Sequence, residues 1–140
     1  MVTVRNRRIL YLQRYTNLPS ALHILQEKCL TLLSPNNWDD RNDAFYIEEF
    51  RHRINAKSVL ALCFSESKQT YHHWRVFAAG SDGVCIEFNK TKLLEEIDSD
   101  KEFIHRSIEY RKLKLAEKFG IKRKDIPFVK RRQYKAEREY

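Results

Sequence analysis

The sequence predicts a single α+β domain, residues 1–140, built as a small mixed sheet with helices packed on it. Three observations lead there. Short runs rich in aliphatic and aromatic residues over 8–15, 58–64 and 84–88 have strand character, while Leu18, Leu22, Leu25 and Cys29 recur at helical spacing. The chain has 140 residues, the length of one domain, and 42% hydrophobic content, enough for a core. Gly and Pro are few, 3 of each, so each one marks a boundary and none builds a linker.

Taken in order, residues 8–15 form the first strand. Thr16 or Asn17 caps a helix ending near Glu27 or Lys28, with Pro19 in its first turn, where a missing N–H does no harm. Ala21 and Ile24 widen its apolar face. Residues 29–33 read as a short buried strand, stopped by Ser34, Pro35, Asn36 and Asn37. A polar loop with Trp38 follows, then a helix over 44–53 with Asn42 or Asp43 as its cap. Residues 58–64 lack any charge and predict a central strand buried on both faces. Residues 70–79 predict a short helix carrying Trp74 and Phe77, 80–83 a turn, 84–88 a strand, and 91–97 a helix capped by Asn89. Residues 103–113 alternate as a strand. The basic stretch 112–132 holds one or two helices, with Pro127 in a first turn. Residues 134–140 alternate again with no closing Gly or Pro, which predicts a C-terminal strand truncated at Tyr140.

Charge divides the chain. Residues 1–100 hold 13 Lys/Arg and 13 Asp/Glu, whereas residues 101–140 hold 14 and 6, so the whole net charge of +8 sits at the C-terminal end. Such a block either attracts a polyanion, RNA or DNA first, or is a solvated face with local counter-charges. Its nucleic-acid candidates are Lys122, Arg123, Lys124, Lys130, Arg131 and Arg132. No apolar run reaches the roughly 18 residues of a membrane span, and the N-terminal apolar run is too broken for a signal peptide, so a cytoplasmic location is expected. Cys29, Cys63 and Cys85 are odd in number and lack paired spacing, which predicts three reduced, buried thiols.

Familiar catalytic motifs are missing. No phosphate-binding glycine loop and no zinc spacing occur, so no metal is expected. Neighbouring His72 and His73 would point about 100° apart on a helix and chelate poorly together. His23 reads as a packed or edge histidine. Asp39, Asp40 and Asp43 suit a helix N-terminus better than a divalent cation. Glu137 and Glu139 project from one face at strand spacing, which is the arrangement of an acid/base pair or of an exposed strand face.

Several segments together carry a resemblance. They are 10–15, Leu32-Leu33-Ser34-Pro35, Trp38-x-Asp40-x-Asn42-Asp43, Leu62-Cys63-Phe64-Ser65-Glu66, Trp74, 83–88 and Tyr134-x-x-Glu137-x-Glu139-Tyr140. Their order and spacing resemble a bacterial family of unknown function that turns up in phage-defence and abortive-infection settings. That family normally continues past the Glu-x-Glu-Tyr segment with an Arg and further strands, and its Met-Trp with a following His-Tyr pair is here His73-Trp74-Arg75-Val76-Phe77. More loosely, Arg14 on the first strand, Ser65 after an apolar strand and a late Glu137-x-Glu139 resemble ADP-ribosyltransferases of the Arg–Ser–Glu kind. That likeness implies NAD as cofactor. Arg14 would clamp the pyrophosphate, Ser65 would hold the nicotinamide ribose, and Glu139 would stabilise an oxocarbenium-like transition state. Glu137 would orient or deprotonate the acceptor. Trp38, Tyr71 or Trp74 would stack on nicotinamide or adenine, and the basic segment would receive a nucleic-acid acceptor.

Two other readings stand beside it. One is a nucleic-acid-binding module without chemistry. The other is an antitoxin-like interaction subunit or homodimer, pairing through an open strand edge at Tyr140.

Overall fold

Alternation of Leu and Tyr with polar residues produces the first strand. In a computed structural model that describes residues 10–38, 41–78, 80–111 and 122–140, β1 spans Tyr11–Asn17 and buries Leu12, Gln13 and Tyr15. It pairs antiparallel with β2, Gly83–Asn89, in the register Arg14 to Ile86 and Asn17 to Gly83. Gly83 is required at the entry to β2, because a Cβ there would lie 2.5 Å from the Ala78 carbonyl oxygen.

Helix α1, Leu18–Glu27, starts where Asn17 Oδ1 accepts the Ser20 N–H at 2.9 Å and ends at Lys28 in the left-handed region. Its apolar stripe is not covered as expected: Ala21 is buried, but Leu18, Leu22 and Leu25 are exposed. Helix α2, Arg41–Arg53, buries Ile47 and Phe50 and carries Glu48–Arg51 and Glu49–Arg53 pairs on its outer face. Helix α3, Tyr71–Phe77, is capped by Thr70, and α4, Lys90–Asp98, by Asn89. Strands β3, Glu109–Arg111, and β4, Val129–Arg131, pair in parallel. Short 3-10 turns occupy Pro35–Asn37, Arg123–Phe128 and Arg132–Glu137.

The fold is therefore α+β, with strand pairs of both senses. Among the described residues the expected single sheet is two small sheets stitched by isolated bridges: Gln13 to Ser65, then Ser65 to Glu139, whose carbonyl accepts the Ile108 N–H at 3.0 Å. Segment 58–64 is extended but is not the buried central strand the sequence predicts. Its partner changes along its length, with Ala61 bonding to Leu33, Phe64 to Tyr140 and Ser65 to Gln13, so no ladder builds up. Of residues 29–33, only Leu33 is bridged. Residues 103–108 form no strand, and Pro127 lies inside a 3-10 turn where an α-helical first turn was expected.

The C-terminal strand also gives way. The 3-10 turn Arg132–Glu137 ends at Arg138 with φ of 45°, and the chain then extends against Phe64. Tyr140 N–H donates to the Phe64 carbonyl at 2.8 Å and its carbonyl accepts the Phe64 N–H at 3.0 Å. The edge expected to be open at Tyr140 is thus occupied by the protein's own backbone. The thiols are less buried than predicted: Cys29 is exposed, and Cys63 and Cys85 are half-buried. His23 is exposed, its Nε2 lying 3.9 Å from Cys29 Sγ. Among the described residues no helix is long and apolar enough to cross a membrane. The expectations at 1–9, Asp39, Asp40, Ala79 and 112–121 lie outside the described residues.

Candidate functional site

Burying a polar group costs free energy unless a partner satisfies it, so a cluster of buried polar side chains marks a place the fold maintains. Among the described residues these are Gln13, Asp43, Ser65, His73, Glu137 and Glu139. All but His73 line one cavity of about 840 Å³. β1 supplies Arg14, the segment after the Pro35–Asn37 turn supplies Trp38, and α2 supplies Asp43. The extended segment adds Cys63 and Ser65, β4 adds Lys130 and Arg131, and the C-terminal segment adds Tyr134, Glu137 and Glu139.

Three charges meet in the wall. Lys130 Nζ lies 2.6 Å from both Glu139 carboxylate oxygens and 2.6 Å from Asp43 Oδ2. An ammonium has three protons, so these contacts saturate it. Burial alone would lower the Lys130 pKa, but the Glu139 and Asp43 carboxylates outweigh it and hold it above the ordinary lysine value. Burial raises Glu139 from 4.5 to about 7, against the pull of Lys130 and with a further push from Glu137. The carboxylate therefore changes charge near neutrality. Arg14 donates from Nη1 to the Cys63 carbonyl at 3.2 Å, and burial lowers its pKa. Among the described residues no carboxylate stands at ion-pair distance from Arg14. Burial, helped by Glu139, pushes the Cys63 thiol up to about 12, which makes it a poor nucleophile.

His73 anchors the Glu137 segment. Only 1% exposed, it stacks on Tyr15 with ring centroids 5.4 Å apart. Its Nδ1 lies 2.7 Å from Thr70 Oγ1, and its Nε2 lies 3.0 Å from Ser67 Oγ, 3.3 Å from Ser65 Oγ and 3.3 Å from the Glu137 carbonyl. This network suits Nε2–H as the donor to the Glu137 carbonyl, with Thr70 donating to Nδ1. Ser65 Oγ donates to the Glu137 carbonyl at 2.7 Å, and His72 Nε2 contacts Glu137 Oε1 at 3.0 Å. Tyr110 Oη accepts the Glu139 N–H at 2.8 Å.

The expected site residues thus divide. Arg14, Ser65, Trp38, Glu137 and Glu139 come together at the cavity. Ser65 turns its hydroxyl to the Glu137 carbonyl, which it shares with His73 Nε2, where the sequence reading expected a ribose contact. Trp74 packs edge-on against Tyr15 at 5.5 Å and is not part of the lining; Tyr71 is 80% exposed. Of the expected nucleic-acid contacts, Lys122, Lys124 and Arg132 are exposed, and Arg123 opens a 3-10 turn. Lys130 faces inward on its two carboxylates, and Arg131 lines the cavity with Nη2 donating to Tyr134 Oη at 3.0 Å. Lys130 is thereby turned away from an external phosphate backbone, whereas Arg131 is half-buried. Helix α2 begins at Arg41, so Asn42 and Asp43, expected to cap a helix starting at 44, lie inside its first turn, and Asp43 pairs with Lys130.

Sequence reasoning missed the Lys130–Asp43 pairing and the role of His73. No local spacing links residue 43 with residue 130. Adjacency to His72 drew attention to metal chelation, while the cap at Thr70, three residues earlier, was the signal that His73 faces inward. Among the described residues no group of three or more His, Cys, Asp or Glu could hold a metal ion. Comparison with family models, with curated proteins and with solved structures returns no match.

Proposed function

We propose that the protein is an NAD-using, ADP-ribosyltransferase-like domain of a cytoplasmic phage-defence or toxin-type effector, acting on a nucleic acid or a protein. One observation carries the reading: Arg14, Ser65 and Glu139, drawn from the two ends and the middle of the chain, meet at a single cavity. Its volume suits a nucleotide-sized ligand. Arg14, with no carboxylate partner among the described residues, offers a fork to the pyrophosphate. Trp38 offers a stacking face. Glu139, once ionised, stabilises positive charge developing on the ribose.

In this reaction the C1′–N bond of NAD breaks and nicotinamide leaves with the bonding electron pair. An acceptor hydroxyl or amine bonds to C1′ and passes its proton to Glu137. Exposed Lys122, Lys124 and Arg132 would draw in the phosphates of an RNA or DNA acceptor. A non-catalytic nucleic-acid-binding or antitoxin-like module is the second reading. It rests on those exposed cations alone and predicts salt-dependent binding that survives Glu139→Ala.

Calorimetry with NAD tests the proposal. The wild type binds, and Arg14→Ala binds about 10- to 100-fold more weakly, the loss expected of a charged hydrogen-bonding group. Equal binding by the two proteins would remove Arg14 from the ligand and the proposal with it.

A further inference from the structure

Glu139 cannot be described without the two groups that hold it. Lys130 reaches both of its oxygens, and the third proton of the same ammonium goes to Asp43. Lys130 and Asp43 are themselves almost enclosed, with side chains 12% and 10% exposed. Water screens such charges little, so each contact has a large effect on its neighbours. The two carboxylates compete for one ammonium. Whatever strengthens one contact weakens the other.

We infer that Lys130 is the positioning residue of Glu139, fixing both its orientation and its charge, and that Asp43 tunes that effect by drawing the ammonium away. The inference rests on the reading of Glu139 as the carboxylate that works on the ligand. The orientation follows from geometry. A carboxylate gripped through both oxygens by one donor loses rotation about its last bond, and each oxygen keeps lone-pair capacity for the cavity. The charge follows from the neighbours. Glu139 is faced by Lys130 from β4, Asp43 from α2, Glu137 from the C-terminal turn, Tyr110 from β3 and Cys63 from the cavity wall, and Arg14 lines the same cavity. Only Lys130 and Arg14 are cations in this set, and only Lys130 touches the carboxylate.

Three variants separate this role from simple support of the fold. The apo protein, labelled with carboxyl-13C glutamate, is titrated by NMR, the Glu139 signal being the one absent from Glu139→Gln. In the wild type it titrates near the raised value of about 7. Lys130→Met raises that midpoint by about 1–3 units, because the stabilising cation is gone. Asp43→Asn lowers it by about one unit, because Lys130 then serves Glu139 alone. Lys130→Arg keeps the charge and stays close to the wild type. Should Lys130→Met not fold, the downward shift in Asp43→Asn carries the test. A Glu139 midpoint unmoved by Asp43→Asn overturns the inference, as does a Lys130→Arg midpoint displaced as far as that of Lys130→Met. The titration contains no NAD. Opposed shifts in a protein that never cleaves NAD would therefore support the Lys130 role while removing the NAD reading.

Discussion

The unit β1–α1–β2 and the segment from Lys122 to Tyr140 contribute to the same cavity by different means. In the first, regular strands and a capped helix fix the backbone, so strand register places Arg14 and one hydrogen bond to the Cys63 carbonyl holds its side chain. In the second, one short strand and two 3-10 turns carry Lys130 and Glu137, and Glu139 follows in an isolated bridge to Ser65. Those side chains are placed by ion pairs and hydrogen bonds to distant partners, Asp43, Ser65, His72 and Tyr110. The difference teaches that half of this site is set by local rules and half by buried polar contacts. The second half should be the more fragile to single polar substitutions.

The largest expected effect is in the second half. Lys130→Met preserves most of the side-chain volume but leaves Asp43 and Glu139 without their cation. Breaking a buried pair in this way costs about 3–5 kcal/mol, which would appear as a large drop in the urea midpoint. A loss below about 1 kcal/mol, the range of an exposed pair, would mean that the two halves do not differ as described. A far smaller change is expected in the first half. Asn17→Ala removes the cap of α1, whose side chain accepts one backbone N–H, and should cost about 1 kcal/mol in the same assay. Reversal of this order would break the comparison.

The same division explains what the sequence made legible. Asn17 and Asn89 announce helix starts through their own side chains, and α1 and α4 begin beside them, whereas Thr70, read as the first residue of its helix, is the cap of α3. The β2 strand is also readable, since its apolar run is flanked by Gly83 and Asn89. Segment 58–64 misled because seven uncharged residues suggest a buried ladder, whereas its neighbours change from residue to residue. Residues 134–140 misled because alternation carries no information about Arg138 turning into the left-handed region. Glu137 and Glu139 were singled out by their spacing and Arg14 and Ser65 by a resemblance, and the fold brings all four to one cavity. Asp43 and Lys130 were assigned separately, to a helix start and a basic run, because their partnership exists only in three dimensions.

The most direct test of the central claim is release of nicotinamide from NAD, followed by chromatography across pH 5–9 in the wild type and Glu139→Gln. Because burial raises the Glu139 pKa to about 7, the working anion is scarce below that pH and abundant above it. The rate should climb through pH 7 in the wild type and be lost at every pH in Glu139→Gln. Release that is equal in the two proteins, or no release by the wild type at any pH, would contradict it.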